Sequence, residues 1–129
     1  MSVYLDTSAA AKLLMDEAES DALAAFLDEI GDEQDVVSSA LLETELRRLA
    51  VRLGLDQSAV TDLLARVDLV DPPRSLFHEA GLLPGPYLRS LDAIHLATAL
   101  RVDADTLVAY DARFLDAARS LGLGAHSPA

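Results

Sequence analysis

Residues 89–101, RSLDAIHLATALR, constrain the fold more than any other stretch of this chain. Between two arginines, a run of Leu, Ala and Ile is interrupted only by Ser90, Asp92, His95 and Thr98. At helical spacing the apolar groups lie all round the segment, which predicts a helix buried between other elements. A carboxylate in such a helix is costly unless a cation or hydrogen-bond donors meet it. Asp92 therefore requires a partner.

The 129 residues suffice for one compact domain over 1–129, and a 51% hydrophobic content without low-complexity runs argues against disorder. No apolar run of roughly 18 residues and no signal-peptide pattern occurs, so no membrane partner is expected. Without cysteine, disulfides and thiolate metal sites are excluded, and a cytoplasmic location is the expectation. The net charge of −12 at first opposes a nucleic-acid partner. Its distribution matters more than its sum: residues 16–35 carry nine acids and no base, which reads as a solvated helix face and loop. The remainder holds 13 acids against 10 bases, and Arg47, Arg48, Arg52, Arg89 and Arg113 lie close in sequence to the acids weighed below.

Taken in order, Ser2 to Leu5 predict a short strand ending at Asp6, and Thr7 or Ser8 is available to cap the helix that follows. A second helix over about 18–30 shows Leu23, Leu27 and Ile30 at i, i+4, i+7 spacing and is ended by Gly31. Val36 and Val37 form a second strand. Ser38 and Ser39 then cap a helix to about Leu53, stopped by Gly54. Asp56 or Ser58 opens another helix to about Arg66, and a third strand covers Val67 to Val70. After Pro72 and Pro73 come a short helix around 76–83, the Asp92 helix, a strand from Thr106 to Ala109 and a helix through Ala118. Residues 124–127 add a small last strand. Such alternation predicts an α/β three-layer sandwich, a mostly parallel sheet of four to five strands with helices on both faces.

Ligand sites in such sheets sit at the carboxyl ends of the strands, and Asp6 and Asp111 follow strands directly. Each has a plain alternative as a helix cap. Glu43 stands four residues before Arg47, the favourable order for a surface ion pair, which accounts for it without function. Glu45 shares its flank with Arg48 and Arg52; that arrangement suits either a second surface pair or the edge of a phosphate site. Asp116 lies on the next turn after Asp111 and either reaches the rim or faces solvent. Carboxylates gathered at one rim repel one another, and a hard divalent cation relieves this. Mg2+ or Mn2+ fits carboxylates and water better than zinc, since the three histidines lack metal-binding spacing. His95 reads best as a buried, hydrogen-bonded residue that fixes helix packing. Lys12, the single lysine, is placed to touch either a substrate or the nearby acids. A receiver-like phosphoacceptor module is disfavoured, because the first strand ends in one acid and Lys12 is misplaced for it. A DxDx(T/V) phosphatase fails because position 8 is serine.

Four segments, YLDTSAAAKLL at 4–14, SSALLETELRR at 38–48, LDAIHLATAL at 91–100 and LVAYDARFLDAARSLGL at 107–123, together resemble the PIN-domain family and its VapC-type toxins. The resemblance spans nearly the whole chain. It implies a Mg2+- or Mn2+-dependent endoribonuclease that hydrolyses structured transfer or ribosomal RNA with a metal-activated water. The family acids fall on Asp6, Glu45, Asp92 and Asp111 as catalytic residues and ligands, with Asp116 as an extra acid of some members. Ser8 matches a small hydroxyl residue near the metal. The resemblance also implies a homodimer and a VapB-like antitoxin, and Arg47, Arg48, Arg52, Arg89 and Arg113 are the expected RNA contacts. An inactive PIN-like binding module, or a housekeeping nuclease without a toxin role, is the alternative.

Overall fold

The computed structural model describes residues 2–129. Five strands, β1 (Ser2–Leu5), β2 (Asp35–Ser39), β3 (Asp68–Val70), β4 (Thr106–Val108) and β5 (Gly124–His126), form one sheet in the order β3-β2-β1-β4-β5. All four pairings are parallel, with Val3 opposite both Val36 and Thr106. Seven helices connect them among the described residues: α1 (Thr7–Leu14), α2 (Ser20–Ile30), α3 (Leu41–Leu53), α4 (Gln57–Leu64), α5 (Arg74–Gly81), α6 (Ser90–Arg101) and α7 (Ala112–Ser120). A single 3-10 turn, Gly31–Glu33, follows α2. None of these helices is long and apolar enough to cross a membrane.

The period-two alternation of a strand divides the core. Val3, Leu5 and Val108 face a cluster built with Ala9 and Ala10 of α1, Leu23 of α2, Leu42 and Leu46 of α3 and Val60 of α4. Tyr4, Leu107 and Ala109 face the other way, onto Leu96 and Ala99 of α6 and Phe114 and Ala118 of α7. Helix α5 adds Leu76 and Ala80, which pack on Ala93 and Ala97 of α6. Helix α6 is thus buried by the sheet on one side and by α5 on the other, as its all-round apolar pattern demands.

Local chemistry departs from expectation at three helix starts. Asp6, not Thr7 or Ser8, occupies the N-cap of α1 and accepts from the Ser8 N–H. Ser38 and Ser39 extend β2, and the cap position of α3 falls on Ala40; the Ser39 hydroxyl oxygen still accepts from the Leu41 N–H. The Ser38 hydroxyl instead ties β2 to β1 by donating to the Leu5 carbonyl. Asp92 lies in the first turn of α6, before the apolar run begins, so its side chain keeps 26% of its surface in water. The amino end of a helix is where backbone N–H groups favour negative charge.

Candidate functional site

The strand order reverses on either side of β1, so a crevice opens between the ends of β1 and β4, where the chain departs to opposite faces. Asp6 sits at this point, its N–H bonded to the Val108 carbonyl at 3.0 Å. The Asp6 carboxylate is only 4% exposed and accepts from both the backbone and the hydroxyl of Ser8. Burial pushes its carboxyl above the usual aspartate range; the nearby His95 and the Ser8 and Thr7 donors pull it part of the way back. The Ser8 oxygen in turn accepts from the Tyr110 N–H at 2.9 Å.

Asp111 begins α7 as its N-cap and divides its oxygens between two tasks. Oδ1 accepts from the Arg113 and Phe114 N–H groups, and Oδ2 receives the Arg89 guanidinium at 3.3 Å. The same guanidinium reaches Asp92 Oδ2, also at 3.3 Å. Arg89 thereby bridges two of the acids while remaining 72% exposed. The partner that Asp92 requires is this arginine.

Glu45 comes from α3, on the opposite face of the sheet from α6. Its Oε1 accepts from the Thr7 hydroxyl at 2.9 Å and from His95 Nε2 at 2.5 Å. His95 is 1% exposed, and its Nδ1 lies 2.6 Å from the Tyr4 hydroxyl, which also accepts from the Ser39 N–H. Burial acts to lower the His95 pKa, but the Glu45 hydrogen bond and the charges of Asp6, Glu45 and Asp92 outweigh it and raise it. Burial pushes the Tyr4 phenol well above its ordinary value. The expectation that His95 is a bonded core residue holds, but its bonds reach into the site.

Glu43 and Arg47 form the surface pair that their spacing predicts, at 2.8 Å. Arg47 also donates to Gln57 and Thr61, which ties it to the joint between α3 and α4. Arg48 and Arg52 instead line a groove of about 480 Å3 together with Thr7, Ser8, Glu45 and Leu91. Arg113 and Asp116 are exposed on α7. Lys12 binds the neighbouring acids Glu17 and Glu19 and rides over the Tyr110 ring. Among the described residues no three His, Asp or Glu side chains converge at metal-holding distance. The sequence reading missed Thr7 and Tyr4 as partners in the site. The signal for Tyr4 was present: on β1 it must point opposite to Val3 and Leu5, toward the layer that carries His95.

Fold and site thus define a doubly wound α/β domain with acidic side chains around one strand-end crevice. The PIN domain profile matches residues 3–120. Ribonuclease VapC35 of Mycobacterium tuberculosis (strain CDC 1551 / Oshkosh) is 43% identical over 132 residues, covering 98% of this chain and 96% of that one. Ribonuclease VapC46 of M. tuberculosis (strain H37Rv) is 42% identical over 129 residues, covering 98% and 97%. In three dimensions the chain resembles VapBC2 from Rickettsia felis, solved bound to a DNA fragment from its promoter, with a TM-score of 0.81 at 18% identity over the full length of both chains. It also resembles M. tuberculosis VapC20, described as a sarcin-ricin loop cleaving toxin, with a TM-score of 0.77 at 19% identity over 98% of this chain and 99% of that one. The chain belongs to the PIN-domain family and its VapC-type branch.

Proposed function

We propose that this chain is a divalent-metal-dependent endoribonuclease, the toxin of a VapBC-type pair that acts in the cytoplasm. The observation that carries the reading is the bridge of Arg89 between Asp92 and Asp111, beside the buried Asp6. Asp92 and Asp111 share a cation, and the one they hold is an exposed, displaceable side chain. The side chains that would hold a metal ion, Asp6, Glu45, Asp92 and Asp111, offer only oxygen, the donor chemistry of Mg2+ or Mn2+ and not of a soft metal. No three of them converge in the fold as described, so binding would draw them together once Arg89 is released. When bound, such an ion lowers the pKa of a water and stabilises charge on a phosphoryl oxygen.

The chain's own groups supply the frame. Asp6 is oriented by Ser8, Asp111 by the N–H groups of α7, and Glu45 by Thr7 and His95. Asp116, exposed on α7, is the weakest candidate of the acids. Arg48 and Arg52 edge the groove beside Glu45 and offer phosphate contacts, joined by Arg113 and by Arg89 once it is released. A structured transfer or ribosomal RNA is the substrate class proposed, and a VapB-like antitoxin and a second copy of the chain are the proposed partners. An acidic toxin pairs readily with a basic peptide segment.

The test is incubation of the antitoxin-free protein with cellular RNA and Mg2+ or Mn2+, with Asp6→Asn as control. Metal-dependent cleavage by the wild type alone is expected, together with growth arrest on expression that a co-expressed antitoxin relieves. A folded wild-type protein that cleaves no RNA at any metal concentration is instead the inactive binding module.

A further inference from the structure

His95 is 1% exposed and stands between Tyr4 and Glu45, surroundings more particular than packing requires. On one side the Tyr4 oxygen accepts from the Ser39 N–H and lies 2.6 Å from His95 Nδ1. On the other side Nε2 lies 2.5 Å from Glu45 Oε1 and 3.1 Å from the Thr7 hydroxyl, and toward an ionised carboxylate, which only accepts, Nε2 must carry the proton. The neutral Nε2–H tautomer, with Tyr4 donating to Nδ1, and the imidazolium, with Tyr4 accepting from it, both satisfy that demand; the other neutral tautomer would set two lone pairs against each other. The Thr7 hydroxyl donates to the same oxygen. Among the described residues, Glu45 Oε2 has no hydrogen-bond partner, while Oε1 has two donors.

The chain of bonds crosses the layers of the fold. It starts at the β2 backbone, passes through Tyr4 of β1 and His95 of α6, and ends on Glu45 of α3, whose helix packs on the opposite face of the sheet. A residue needed only to fill this space is supplied by leucine or methionine, which bring no polar atoms to satisfy. A histidine with both nitrogens bonded is needed when a carboxylate from another layer must stand in one orientation.

We propose that His95, oriented by Tyr4, is a positioning residue that pins Glu45 through Oε1 and leaves Oε2 to the cation. This rests on the metal-nuclease reading above and adds to it a residue that touches neither ion nor RNA. Hydrogen-bond partners behind metal ligands set ligand orientation, and their loss weakens the site.

Two substitutions of similar polarity separate positioning from filling. In His95→Gln the amide nitrogen falls near the place of Nε2 and reaches Glu45; in His95→Asn it falls near Nδ1 and does not. Mn2+ is titrated into the full chain, purified free of partner, by calorimetry or electron paramagnetic resonance, alongside metal-free thermal unfolding and RNA kinetics. His95→Gln is expected to bind Mn2+ within about threefold of wild type and His95→Asn about 10- to 100-fold more weakly, with kcat reduced and KM nearly unchanged. Equal Mn2+ affinity in folded His95→Asn and wild type overturns the inference alone. Wild-type protein that binds no Mn2+ overturns the metal reading and this inference together. Should His95→Asn fail to fold, Tyr4→Phe decides: a severalfold weaker Mn2+ affinity is expected, and wild-type affinity in the folded variant overturns the inference.

Discussion

Replacing Arg89 by glutamine tests whether the crevice is held in readiness by a cation of its own. The side chain is 72% exposed and makes two contacts of 3.3 Å, to Asp92 and Asp111. Exposed ion pairs contribute about 0.2–1 kcal/mol each, and the length and exposure of these place the two together at about 0.5–1 kcal/mol. An incoming Mn2+ must displace that interaction. Arg89→Gln removes it beforehand, so Mn2+ affinity should rise about two- to fivefold at a tenfold change per 1.4 kcal/mol. The metal-free protein should lose about 2–4 °C of Tm, because Asp92 and Asp111 then face each other without a counter-charge. Because the contacts are exposed, the gain in affinity should shrink at high ionic strength. RNA binding should move the other way, with a higher KM, since the released guanidinium is lost to the phosphate backbone. Calorimetric titration of Mn2+ at low and high salt measures the first effect and initial-rate kinetics the last. Unchanged or weaker Mn2+ binding by a folded Arg89→Gln protein would refute competition and make Arg89 a strut that orders the acids.

Two further outcomes follow from the geometry. The Asp6 carboxyl is raised by burial, so between its unfolded and folded values the native state keeps a proton that the unfolded chain has lost, and stability falls as pH rises through that window. Asp6→Asn retains a good cap and removes the buried charge: metal-free Tm at neutral pH should rise by a few degrees, the difference closing at acid pH, while RNA cleavage is lost. A lowered Tm in differential scanning calorimetry contradicts this account. Substituting Arg48 and Arg52 by alanine should raise KM for RNA with kcat retained, and flatten the dependence of log affinity on log salt by about 0.7 per arginine. Filter binding over a salt series reads that slope, and an unchanged slope removes the groove from the RNA path.

The layered architecture was legible because its signals are periodic. Alternation on β1 and the all-round apolar pattern of α6 each specify a two-sided burial, and both are realised. Asp6 and Asp111 were legible as site candidates from their place after strands. Less visible was that capping and site roles coincide: Asp111 uses one oxygen for each, and Asp6 caps α1 while facing the crevice. Availability of Thr7 and Ser8 as caps argued the wrong way, because both hydroxyls are spent across the fold, on Glu45 and on Asp6 and Tyr110. Arg47 and Arg48 are neighbours in sequence with opposite fates, since one residue along a helix turns a side chain by about 100°. Only the placement of α4, with Gln57 and Thr61 beside Arg47, separates the two.

Ser8 ties together the two sides of the crevice. Its single oxygen donates to Asp6 and accepts from the Tyr110 N–H, a residue 102 positions away, so it laces the exit of β1 to the segment that leaves β4. In a doubly wound sheet these exits diverge to opposite faces, and nothing in the β-ladder beyond Val108 obliges them to stay together. The lacing opposes their separation at the point where Asp6 sits. Under the proposed nuclease reading, a strand reaching Asp6 then meets an opening whose two sides are already tied together, and a nucleic acid that presents a preformed loop there is favoured over one that must be bent on arrival.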